Sequence, residues 1–120
     1  TSDIITIHVV LSPRSRGLVG AADLARMKPS AYLVNTARGP IVDEDALLAA
    51  LREKKIAGAG IDVFSTEPLP TDHPLRKLDN VVITPHLGYA TRESLQAHYQ
   101  QMVACIDTFT KGGEPPRRLA

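Results

Sequence analysis

The sequence has no tryptophan, one cysteine, two methionines, three tyrosines and two phenylalanines in 120 residues. A chain so poor in aromatics must build its core from Leu, Ile, Val and Ala, which favours close packing of helices on a sheet. Cys105, being alone, excludes an internal disulfide framework and fits a reducing compartment, so a cytoplasmic location is expected. It lies in an apolar-periodic segment and reads as a core residue. Neither sign of charge dominates, with 14 Lys and Arg against 13 Asp and Glu, and the basic residues are scattered rather than interleaved with aromatics. No nucleic-acid partner is therefore expected, and "PPRRLA" at the end reads as a short basic tail. No apolar run approaches the roughly 18 residues that span a bilayer, and "TSDIITIHVV" lacks a basic region and a cleavage site, so no membrane partner is expected. No two of the four histidines have metal-ligand spacing, and no metal is expected.

What is present alternates between two periods. "DIITIHVVL" is nearly continuously apolar from Ile4 to Leu11, the pattern of a strand covered on both faces of a parallel sheet. In it His8 is expected to hydrogen-bond backbone. "SPRSRG" makes a loop, and "AADLARMKP" a short helix stopped near Pro29. "AYLVNT" is a second buried strand. "DEDALLAALREKK" is an amphipathic helix with Asp43 as N-cap, acids in its first turn, and Leu47, Leu48 and Leu51 on one face. "IAGAGIDVF" is a third strand, in which Gly58 and Gly60 allow close approach of a neighbour. The proline-rich loop "STEPLPTDHP", a fourth strand "NVVITP" and a helix from Thr91 follow. That helix carries Leu95, His98, Met102, Cys105, Ile106 and Phe109 near helical spacing, and Gly112 and Gly113 end it.

Strands alternating with helices predict a parallel α/β sheet, and such sheets bind ligands at the carboxyl ends of their strands. Arg38 follows the second strand, Glu67 the third and His86 the fourth. An arginine fork pairs with a carboxylate through two hydrogen bonds and keeps its charge. A histidine passes protons near neutrality, and a nearby carboxylate orients its ring. Together the three suit binding of a small acid and movement of one proton. Each has a plainer reading: Arg38 as a surface arginine, Glu67 as a solvated loop acid, His86 as a structural hydrogen-bonder. The shared edge favours the chemical reading. Ser65, Ser94 and Cys105 stand in no nucleophile motif.

"LVNTARGPIVDEDALLAAL", "AGIDVFSTEPLP" and "NVVITPHLGYATRES" resemble the successive signature blocks of the NAD-dependent D-isomer-specific 2-hydroxyacid dehydrogenases, and the resemblance runs from residue 1 to about 118, including "GEPPR". It implies a partial Rossmann-like parallel sheet, the second half of an NAD-binding domain over residues 1–90, with a C-terminal helix and tail over 91–120 that return to a substrate domain not contained in these residues. It implies Arg38 as the substrate-carboxylate clamp and His86 as the proton-transfer group, supported by Glu67. It implies NAD as cofactor, NADP not being excluded, with His8, Val9, Thr36, Ala37, Arg38, Asp62, His86 and Gly88 in the cofactor pocket and Asp62 at the nicotinamide carboxamide. Expected partners are a small 2-hydroxy or 2-keto acid, the missing N-terminal half of the enzyme, and a second copy in a homo-oligomer.

Tyr89 stands where many members have a second glycine, and Pro40 where small or polar residues are common. Both bear on substrate identity. No G-x-G-x-x-G opens a helix in these residues, so the backbone cradle for a pyrophosphate is absent, as is the ribose-binding acid that follows it. The expected function is hydride transfer between a nicotinamide and C2 of a D-2-hydroxy acid by the whole enzyme, the isolated chain being inactive. The alternative is a noncatalytic binding or assembly module on a half-Rossmann sheet.

Overall fold

The computed structural model describes residues 2–115. Four strands, β1 (Ile4–Ile7), β2 (Tyr32–Asn35), β3 (Gly58–Ile61) and β4 (Val81–Ile83), pair in parallel in the order of the sequence. Helix α1 (Ala21–Ala25) lies between β1 and β2, and α2 (Glu44–Arg52) between β2 and β3. Only a 3₁₀ turn, Pro74–Lys77, breaks the β3–β4 connection, and α3 (Arg92–Thr110) follows β4. The expected parallel α/β architecture and long C-terminal helix are both present. After Leu87 the chain divides into two compact units. The expected basic tail, residues 116–120, lies outside the described residues.

In the first unit the core is aliphatic, as the shortage of aromatics requires: Leu24, Leu33, Ile41, Leu51, Ile56 and Leu75 are fully buried, and Phe64 is the aromatic that joins them. Asp43 caps α2 as expected, its Oδ1 accepting from the Ala46 amide at 3.0 Å. Its buried face, Leu47, Leu48, Ala50 and Leu51, belongs to this core, and α1 packs beside it. A Cβ on Gly58 would come within 2.6 Å of the Asn80 carbonyl, so close approach does explain that glycine; Gly60 has only ordinary contacts with Val34, and close approach does not explain it.

Strand β1 departs from expectation. It ends at Ile7, short of Leu11, and is the sheet's edge, with Ile4 64% and Ile5 37% exposed. Its apolar run records two faces to be covered, but within the described residues it has a strand neighbour on one side only. His8 is exposed and bonds the Thr6 hydroxyl through Nε2 at 2.8 Å instead of backbone, because the strand has already ended.

In the second unit Thr91 caps α3, its Oγ1 accepting from the Ser94 amide at 3.1 Å. The helix stops as expected. Gly112 adopts φ +77°, and the amides of Gly112 and Gly113 bond the carbonyls of Phe109 and Thr108, both at 3.0 Å, which closes the last turn in a Schellman motif. None of the α3 side chains is buried. Cys105 is accordingly half-buried and not the core residue expected, since helical periodicity reports which residues share a face but not whether anything covers it.

Candidate active site

All four strands deliver their carboxyl ends to one edge of the sheet, and three loops leave that edge carrying Arg38, Glu67 and His86. Strand β2 ends in Asn35, a residue ill-suited to a strand and well-suited to a turn. It is only 1% exposed, and its carboxamide turns back on the chain: Oδ1 accepts from the Ala37 amide and Nδ2 donates to the Arg38 carbonyl, both at 3.0 Å. Arg38 then projects, exposed, from extended backbone, and Gly39–Ile41 form a 3₁₀ turn. Gly39 is buried, and a Cβ there would overlap the backbone of Phe64 and Ser65. Only glycine lets the Arg38 loop lie backbone to backbone on the loop that leads to Glu67.

Beyond β3 the chain stays buried through Asp62, Val63 and Phe64 before emerging at Ser65. Glu67 uses its two oxygens separately: Oε1 accepts from the Phe64 amide and Oε2 meets Nδ1 of His86, each at 2.8 Å. The hydrogen bond with His86 and then that from Phe64 hold the Glu67 carboxyl below its ordinary value; partial desolvation opposes them, and the charges of His86 and Arg38 reinforce them. In the tautomer that fits this contact Nδ1 carries the hydrogen and Nε2 is the basic nitrogen. Glu67 therefore orients the ring.

His86 itself sits at φ +57°, a left-handed conformation that costs a residue with a Cβ about 1–2 kcal/mol. Asp62, 3% exposed, holds it there. The Asp62 carbonyl accepts from the His86 amide at 2.8 Å, and its Oδ1 accepts from the Thr84 hydroxyl and from the Leu87 amide, the latter at 2.8 Å. The Asp62 carboxylate thereby organises the turn that presents the histidine.

The structure thus brings together Glu67 and His86 in direct contact, with the Arg38 charge near enough to act on Glu67. Phe64, Glu67, Pro68, Leu69, Arg76, Ile83, Pro85 and His86 enclose a cavity of about 520 Å³. His8, Val9, Thr36, Ala37 and Arg38 line a second, of about 600 Å³, with Val10 and Leu11. Gly88 is exposed and opens the second unit. Asn35 and Gly39 escaped the sequence reading. An asparagine closing an otherwise aliphatic strand was the available signal for the first; the second needed knowledge of which loop lies against it. No group of three or more His, Cys, Asp or Glu among the described residues could hold a metal.

A parallel sheet with an arginine, a glutamate and a histidine at the carboxyl ends of its strands has these side chains where open α/β sheets bind ligands. Comparison supplies the family. Residues 1–88 match the family described as "D-isomer specific 2-hydroxyacid dehydrogenase, NAD binding domain", and the chain belongs to that family. It is 49% identical over 115 residues to a glyoxylate reductase of Thermofilum pendens, covering 96% of this chain and 34% of that protein. It is 45% identical over 114 residues to a glycerate dehydrogenase of Methylorubrum extorquens, covering 92% and 36%. Among solved structures, the NAD-complexed D-isomer specific 2-hydroxyacid dehydrogenase of Lactobacillus delbrueckii matches with a TM-score of 0.83 and 37% identity, covering 98% of this chain and 40% of that one. The chain spans about a third of the length of these curated relatives. No helix among the described residues is long and apolar enough to cross a membrane.

Proposed function

We propose that these residues form the substrate-facing edge of the nucleotide domain of a D-2-hydroxyacid dehydrogenase, and that the whole enzyme interconverts small 2-hydroxy and 2-oxo acids. The observation that carries this reading is the 2.8 Å pairing of His86 Nδ1 with a Glu67 carboxylate held below its ordinary pKa, on the same edge as Arg38. Arg38 pairs with the substrate carboxylate and polarises the neighbouring 2-oxo group. His86 delivers a proton from Nε2 to that oxygen during reduction and takes it back during oxidation. Glu67 keeps the ring oriented so that Nε2 faces the substrate oxygen. A bound nicotinamide cofactor supplies the hydride, which none of these side chains can carry.

The cavity bounded by His8, Val9, Thr36, Ala37 and Arg38 is roomy enough for the nicotinamide end of NAD or NADP, whereas nothing in these residues offers a pyrophosphate cradle. Asp62 and Gly88 complete the proposed cofactor set. The proposed partners are the N-terminal part of the family's enzymes and a second copy of the chain, and the proposed location is the cytoplasm. The names of the relatives point to a substrate of two or three carbons, with glyoxylate as the first choice.

In the full-length enzyme His86→Gln is expected to lower kcat for glyoxylate reduction by about 10²–10⁴-fold. Arg38→Lys is expected chiefly to raise KM, because a point charge cannot reproduce the two-pronged contact. Steady-state kinetics with cofactor titration checks both; unchanged kcat in His86→Gln overturns the reading.

A further inference from the structure

We infer that Asn35 is a positioning residue for the carboxylate clamp, its buried carboxamide fixing the loop from which Arg38 projects. The inference rests on the reading of Arg38 as that clamp. Asn35 is held from both sides by the sheet, in register with Ile7 of β1 and Ile61 of β3, and its carbonyl accepts from the Asp62 amide at 3.0 Å. From this fixed point its side chain reaches forward and grips the next turn twice, at the Ala37 amide and at the Arg38 carbonyl. These two groups flank the Arg38 Cα, so the grip sets the origin and direction of the arginine stem. The Ile41 amide adds a longer bond, 3.3 Å, to the same Arg38 carbonyl, and Gly39 seats the turn against Phe64 and Ser65.

The chemistry of the carboxamide is specific to this task. One end must accept and the other must donate, two bonds apart, in a site closed to water. Aspartate keeps the shape and the acceptor but turns an oxygen toward the Arg38 carbonyl. Serine is too short to serve both groups. Aspartate leaves the Arg38 carbonyl with only the longer bond from Ile41, and serine gives up at least one of the two bonds, so either change loosens the loop while the guanidinium itself is unchanged. Arg38 has a long stem whose Nη1 donates to the Ala37 carbonyl at 2.6 Å, so both the origin of the stem and the group that holds its tip belong to the turn that Asn35 grips.

The test is a double-mutant cycle between position 35 and position 38 in the full-length enzyme. It uses glyoxylate reduction and the thermal shift produced by oxamate, a carboxylate of similar shape that cannot be reduced. With Arg38 present, Asn35→Asp and Asn35→Ser are expected to lower kcat/KM by between about ten- and a hundredfold, mainly through KM, and to shrink the oxamate shift. With Arg38→Lys already in place, the same substitutions are expected to change kcat/KM by less than about twofold, because the group being aimed is gone. Equal losses in the two backgrounds, or no loss with Arg38 present, overturn the inference and leave Asn35 a strand terminator. Arg38→Lys with unaltered kinetics and an unaltered oxamate shift overturns the clamp reading, and this inference with it. Serine, uncharged, keeps the cycle readable if the aspartate variant does not fold.

Discussion

Helix α2 has nine residues and buries Leu47, Leu48, Ala50 and Leu51; α3 has nineteen and buries none, leaving Tyr99, Met102, Val103, Ile106 and Phe109 more than half exposed. Their ends are nevertheless built alike. Asp43 and Thr91 cap the first turns with side-chain oxygens, and each last turn closes with a left-handed residue and a bond from the next amide, Lys55 to Ala50 in α2 and Gly113 to Thr108 in α3. Local signals of equal quality therefore produce two helices of very different tertiary standing. A helix of either kind is written in its own residues, whereas the burial that stabilises it belongs to whatever it meets.

The largest expected contrast is in side-chain truncation. Leu51→Ala empties a fully buried site and is expected to lower the stability of the first unit by about 2–5 kcal/mol. Met102→Ala in the chain by itself should stay within about 0.5 kcal/mol. Urea unfolding followed by circular dichroism checks both, and comparable losses would mean that α3 buries its apolar stripe in solution.

A smaller contrast sits at the two C-terminal caps. Lys54 occupies at φ +53° the position that Gly112 fills in α3. Lys54→Gly is expected to stabilise by up to about 1 kcal/mol and Gly112→Ala to destabilise α3 by a similar amount, since only glycine adopts this conformation without cost. Midpoints for the first, and helix content with amide exchange of the last turn for the second, decide it. Opposite signs are required.

The smallest effect separates the edge that carries Glu67 and His86 from both helices through pH. A carboxyl held below its ordinary value of 4.5 contributes stability above that value and loses it as pH falls through the lowered one. The stability gap between native protein and Glu67→Gln is therefore expected to shrink as the solution becomes more acid than the ordinary carboxyl value. Chemical denaturation across that range measures it. A gap that does not narrow would show that Glu67 stabilises by shape alone.

The candidate site was legible in the sequence to the extent that its members stand at strand ends. Arg38, Glu67 and His86 each follow an apolar run, and the parallel order brings those ends to one edge. Asp62 was legible only through resemblance, and its carboxylate proves to hold the Thr84 hydroxyl and the Leu87 amide around His86. The left-handed turn at His86 carried little signal, because even a residue enriched in that conformation adopts it only occasionally, and here the hydrogen bonds of Asp62 impose it.

By itself the sequence determined the element types, their order, the cap at Asp43, the start of the last helix near Thr91, its stop at Gly112 and the aliphatic character of the core. These depend on neighbours within a few residues or on composition, and both can be read along a line. Tertiary structure alone decided that Ile4 and Ile5 lie on an open edge, that α3 has no buried face, and that Gly39 fits against Phe64 and Ser65. It also decided that the carboxamide of Asn35 and the carboxylate of Asp62 turn inward to shape the loops of Arg38 and His86. The reason is physical: a buried polar group is worth having only where particular donors and acceptors converge on it, and that convergence is made by segments far apart in the chain.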